Sequence, residues 1–285
     1  MSNIVTAIFV IMRICSVSLC NVFQKQLAKD GESPVKVNFV NYLLLTVFSC
    51  ILFFFIDKTE LSRDFIFYSV LGGIFGALGN YFMVEALKFG ELSVLAPINS
   101  YKVVVALLFG VVMLGEIPKP TSLFGIFLMI SGSYFIFNTF NIIEIFKKKE
   151  IRYRFLALLF TGLEAIIIKK VILLSSISMM FCANCALGLI FSYFILNLQK
   201  EKIGLKIERR QACFYFLTAF SFGVMALMTA IIFKRIPVSC ALSLFQLSIL
   251  LNLFFARRVF NEKDMLRKFI GAIIIITGAV LILIL

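Results

Sequence analysis

Residues 110–135 read GVVMLGEIPKPTSLFGIFLMISGSYF, and residues 256–281 read ARRVFNEKDMLRKFIGAIIIITGAVL. An offset of 146 residues, which lays Glu116 on Glu262, also lays Gly125 on Gly271 and Gly132 on Gly278. Each stretch leaves an apolar segment, crosses a short polar turn that holds the acid, and enters a second apolar segment whose small residues lie a turn or two apart. Two glycines and an acid in common register predict a chain built from two copies of one unit.

The composition decides which solvent those units fold in. The chain has 285 residues, 61% of them hydrophobic, with 34 Phe and a mean hydropathy of +1.04. A soluble domain holds roughly 45–50% apolar residues, so this is an integral membrane protein. The net charge of +13 would suggest nucleic acid in a soluble protein. Here the basic residues cluster in short loops between apolar spans, so the expected surface partner is anionic lipid and not nucleic acid. There is no His, and the seven Cys show no paired zinc spacing, so neither a metal, a cofactor nor a nucleophile–base pair is expected. The lone CxxC, Cys182 and Cys185, lies inside an apolar span, where thiols stay protonated, and is read as structural. No phosphate-binding loop is present, so no ATP site is expected.

A window of about 19 residues gives spans near 3–27, 37–56, 65–87, 94–114, 121–140, 154–174, 178–198, 211–233, 238–256 and 266–285. Helices are required, because hydrocarbon cannot satisfy an open backbone. The expectation is an all-α membrane protein of ten transmembrane helices: residues 1–140 as a first five-helix repeat, 141–153 as a basic connecting loop, and 154–285 as a second. Five helices per unit oblige the two copies to insert in opposite orientation, an inverted repeat. Lys and Arg number 18 in the connections after spans 1, 3, 5, 7 and 9 against five on the other side, which places both termini outside.

Pro97 ahead of a small-residue helix, "LGE" at 114–116, "GIFLMISG" at 125–132, and the weaker second copy "FNE" and "GAIIIITG" together resemble the EamA-type members of the drug/metabolite transporter superfamily. The resemblance covers essentially the whole chain. It implies a multi-pass protein of the cell (plasma) membrane that is not an enzyme, and export or exchange of amino acids, small metabolites or drugs. It also implies cytoplasmic termini, against the charge count. The second copy departs from the pattern, with Asn261 where the first has Gly115 and no proline matching Pro97.

Polar groups at mid-span depth mark the candidate site. Arg13, Lys102, Glu164 and Gln246 lie near the centres of spans 1, 4, 6 and 9, two repeat-related pairs. A charge at the bilayer centre costs roughly 2.5–3.5 kcal/mol or more, so these residues are expected to converge on one interior cavity. Arg13, Ser16, Cys20 and Gln24 form one helical stripe, Asn99 and Lys102 begin another that continues at Ala106, and Ser239, Ser243 and Gln246 form a third. Arg13, Ser16, Asn99, Lys102, Glu164 and Gln246 are the expected substrate ligands, with Glu164 as the proton carrier. The bland alternatives are an Arg13–Glu164 ion pair and interhelical hydrogen-bond glue at Asn99 and Gln246. Gly72 and Gly76 form a GxxxG match, read as packing or hinge. The expected function is secondary transport by alternating access, export or exchange of amino acids or related carboxylate-bearing solutes, coupled to protons or a counter-substrate, by a monomer or homodimer. A lipid flippase, or an exporter of organic cations, is the alternative; cation exporters of the superfamily usually carry an acid in the first helix, where this chain has Arg13.

Overall fold

The structure, a computed structural model, describes residues 2–53, 62–102, 104, 120–139, 141–201, 208–236 and 238–284. The first repeat contains α1 (Ser2–Lys29), α2 (Pro34–Phe53), α3 (Arg63–Phe89), α4 (Leu92–Ile98) and α5 (Pro120–Phe137). A short α6 (Ile142–Lys147) bridges to α7 (Lys149–Leu174), α8 (Ile177–Leu198), α9 (Arg209–Arg235), α10 (Val238–Phe245), α11 (Ser248–Phe260) and α12 (Met265–Ile284). Among the described residues, 6 helical segments are long and apolar enough to cross a membrane. Phe127, Ile190 and Phe254 are among many large apolar side chains on the outside, which suits a surface solvated by lipid.

Ser62 begins α3 by accepting from the Phe65 N–H at 3.1 Å, and Ser176 begins α8 by accepting from the Met179 N–H at 3.1 Å, each satisfying an orphan donor of the first turn. α11 ends at Asn261 with φ +53, in the left-handed region. Asn and Gly are the residues that visit this region most cheaply, which suits Asn at position 261.

Spans 4 and 9 are not the uninterrupted helices expected from hydropathy. α4 passes at Asn99–Tyr101 into a 3₁₀ turn, just after Pro97, which lacks the N–H that an α-helix would use. Span 9 breaks at Gln246–Leu247 between α10 and α11. The Gln246 amide Nε2 donates to the Leu242 carbonyl at 3.1 Å and the Ser248 hydroxyl to the Phe245 carbonyl at 2.7 Å, side-chain bonds of the kind that compete with helix continuation. The offset of 146 lays one break on the other. Span 4 past residue 104, with Ala106, Gly115 and Glu116, lies outside the described residues, as do residue 103 and the side chain of Ser239.

The helices pair across the repeats. α1 packs on α9 and α3 on α7, contacts that exchange under the offset, while α2 packs on α8 and α5 on α12, each with its own counterpart. The α5–α12 crossing is closest at the glycines found by the overlay. A Cβ on Gly132 would lie 2.8 Å from the Gly271 carbonyl oxygen, and one on Gly278 would lie 2.5 Å from that of Gly125. These two contacts also exchange under the offset, so a pseudo-twofold axis runs between the copies.

One end of the bundle is tied by the motif acid. The Glu262 carboxylate accepts from the Leu92 N–H (2.8 Å), the Ser93 N–H (2.9 Å) and Lys25 Nζ (2.6 Å), capping α4 from the turn between α11 and α12. Lys25 also donates to the Gly90 carbonyl at 3.0 Å, and Lys268 pairs with Glu91.

Candidate functional site

A cavity of about 160 Å³ lies where α1, α3, α4, α7, α8, α9, α10 and α11 meet. Ala96, Asn99 and Lys102 face it from span 4, and Leu242, Phe245 and Ser248 face it from span 9. These are the same i, i+3, i+6 positions of the two copies, so the cavity straddles the pseudo-twofold at the two helix breaks. Discontinuous helices at the repeat interface free backbone and side-chain groups to face a ligand.

The structure brings Arg13, Asn99, Lys102 and Glu164 together on this wall. Arg13 stacks over the Phe245 ring, 3.8 Å from its centroid, and its Nε and Nη1 are buried without a hydrogen-bond partner among the described residues. Lys102 makes no hydrogen bond or ion pair among the described residues; its stem runs beside Gly162 of α7, and Arg154, Arg13 and Glu164 all lie within its electrostatic reach. The Glu164 carboxylate accepts from Asn184 Nδ2 at 3.5 Å and sits against Gly76. No ion pair joins Arg13 to Glu164; the described ion pairs are Lys25–Glu262, Lys36–Glu32, Arg210–Asp30 and Lys268–Glu91.

Two expected ligands do not reach the cavity. Ser16 is buried but lies off the lining, because the α1 face that opens inward carries Arg13, Val17, Cys20, Asn21 and Gln24. Gln246 is turned aside by the helix break and accepts from the Ser100 hydroxyl at 2.8 Å. Gly72 and Gly76 are packing positions against α7: a Cβ on Gly72 would meet Ile167 at 3.4 Å, and one on Gly76 the Glu164 carboxylate at 2.7 Å.

Arg154 was counted from sequence as a loop cation and is instead buried in the cavity wall, 5% exposed. Its Nε donates to the Leu95 carbonyl (2.9 Å) and its Nη2 to Asn99 Oδ1 (2.9 Å). Nothing in the run KKKEIRYR separates it from its neighbours except helical phase: Ile151, Arg154, Ala157 and Leu158 are the buried face of α7. An amide chain was also missed. Gln24 Nε2 donates to Asn80 Oδ1 (2.8 Å), Asn80 Nδ2 to Asn38 Oδ1 (2.7 Å), and Asn21 Nδ2 to Asn252 Oδ1 (3.2 Å). Asn21 and Gln24 sit three apart on the Arg13 face of α1, a signal available in the sequence.

A model of the EamA-like transporter family matches residues 4–138 and 149–284, one match per repeat. One solved structure, described only as a crystal structure of a protein, superposes with a TM-score of 0.66 over 97% of this chain and 95% of its own, at 11% identity; likeness at that level shows the fold alone. No curated protein matches in sequence. The chain belongs to the EamA-like transporter family, matched twice, once in each half of the internal repeat.

Proposed function

We propose that the chain moves a small carboxylate-bearing solute, an amino acid or a related acid, across the plasma membrane by alternating access, as an exporter or exchanger without ATP. The observation that carries this is the guanidinium of Arg13, buried with two unpartnered nitrogens at a cavity crossed by two broken helices. A planar fork of donors fits a carboxylate, and leaving it unbound keeps a costly group desolvated. Lys102 supplies a second donor, and Glu164 carries the proton or meets an amino group. Residues 1–140 and 154–285 are the two repeat units, with 141–153 between them.

Reconstitution into liposomes tests the reading. Preloading with unlabelled acid should drive uptake of labelled acid by counterflow, and Arg13→Gln should lower the apparent affinity about ten- to a hundredfold, the worth of a charged hydrogen bond. Counterflow unaffected by Arg13→Gln would overturn the proposal.

A further inference from the structure

Outside the cavity, each fully buried charged side chain among the described residues is ion-paired. Lys25 has Glu262, Lys36 has Glu32 and Lys268 has Glu91. In the cavity wall, Arg13, Lys102 and Arg154 face a single carboxylate, Glu164, and none of the three is ion-paired to it. Arg154 is held only by neutral groups, the Leu95 carbonyl, Met83 sulfur and Asn99 amide oxygen. Arg13 rests on a neutral ring. Three cations against one anion leave two positive charges without a counter-charge among the described residues.

The two guanidiniums stand on repeat-related helices, α1 and α7, and each is positioned by the same residue place in the opposing broken helix: Asn99 holds Arg154, and Phe245, its counterpart at the 146 offset, holds Arg13. Lys102 lies within electrostatic reach of both. Two cationic poles with a third charge in reach suit a ligand with two anionic groups, whereas a zwitterion would leave the excess standing. We infer that the cargo of this cavity is a small dianion, carrying two more negative than positive charges and held between Arg13 and Arg154 with Lys102 beside it. A closed cavity of about 150 Å³ admits a benzene-sized molecule, so the 160 Å³ here has room for a short dicarboxylate or a short phosphate ester. This inference rests on the transporter reading above and, among the carboxylate-bearing solutes named there, selects the related acids over the amino acids.

The full chain in liposomes, preloaded in turn with succinate, glycerol phosphate, butyrate and alanine near neutral pH, provides the test. Counterflow should be supported by succinate or glycerol phosphate at least about tenfold better than by butyrate or alanine, one charged contact's worth. The first two arms tell a dicarboxylate from a phosphate ester. Lys102→Met removes one positive charge, so the ratio of butyrate to succinate affinity should rise by about the same factor, whereas a purely structural loss would lower both alike. Butyrate or alanine equal to the dianions in the unaltered protein, or equal losses for both acids in Lys102→Met, would overturn the dianion assignment while leaving transport in place. Movement of none of the four would overturn the dianion and the transporter reading together.

Discussion

Ser100 and Gln246 are hydrogen-bonded at 2.8 Å and stand 146 residues apart, so each is the other's counterpart in the repeat and their bond lies on the pseudo-twofold axis. Both are buried, and neither lines the cavity. Interhelical bonds of this kind average about 0.6 kcal/mol and reach about 1.7. A double-mutant cycle of Ser100→Ala and Gln246→Ala, read as stability in detergent, should return a coupling in that range. Solute affinity should not change.

The α5–α12 glycines leave no room for a methyl. Gly278→Ala would press against the Gly125 carbonyl and the Met129 side chain at 2.8 Å, at a cost of about 1–3 kcal/mol. Gly162→Ala is the control, since the nearest atom to its Cβ is Lys102 Cγ at 4.0 Å. The first should lower the melting temperature and the second leave it unchanged.

Glu262 lies between α11 and α12, outside the spanning segments. Burial raises its pKa, but the hydrogen bonds from Lys25 and Ser93 outweigh that, and the net shift is downward from the ordinary carboxylate value. A depressed folded pKa means stability fully present above the unfolded value and lost as pH falls through the folded one. Melting followed from neutral pH downward should therefore show the unaltered protein losing stability in acid more steeply than Glu262→Gln. At neutral pH Glu262→Gln should already be weaker by about 3–5 kcal/mol, because Lys25 is left unpaired.

Glu164→Gln separates coupling from binding. If this carboxylate carries the proton, the variant should lose accumulation driven by a pH gradient while counterflow exchange persists. Equal loss of both would make it a ligand or a packing group. The accompanying measurement is labelled-solute uptake with and without an imposed gradient.

Arg13→Lys keeps the charge but gives up the planar fork and the stack on Phe245. Loss of the fork should lower solute affinity severalfold or more, and loss of the stack, present without solute, should cost about 0.5–2 kcal/mol of stability. Isothermal titration checks the first and melting the second, and unchanged affinity would show that the fork is incidental.

Much of this was legible in the sequence because the lipid forces polar groups inward: Arg13, Lys102 and Glu164 had nowhere else to go. The glycine register was legible too, since helix approach depends on the absence of a side chain. Arg154 was not, because a cation near a helix end reads as a surface charge until the helical phase is known. Gln246 was misplaced for another reason. Gln246 sits at the break itself, where the Leu242 carbonyl and the Ser100 hydroxyl take up its amide, and a stripe drawn on a continuous helix does not foresee that. Ser16 shows the limit of a stripe, which names a face but not the edge at which that face leaves the cavity.

The packing of α1 on α9 and of α7 on α3 has a consequence for how the protein is made. When the ribosome has released only the first repeat, the surfaces of α1 and α3 that will meet α9 and α7 have no protein to cover them. Arg13 and Asn21, whose neighbours Phe245 and Asn252 belong to the second repeat, would then face lipid or a holding chaperone. The glycine face of α5 waits longest, until α12 has been threaded. Assembly must therefore proceed by late arrivals inserted between early ones, and a chain stopped ahead of α12 would keep an uncovered seam on α5 for membrane proteases to find.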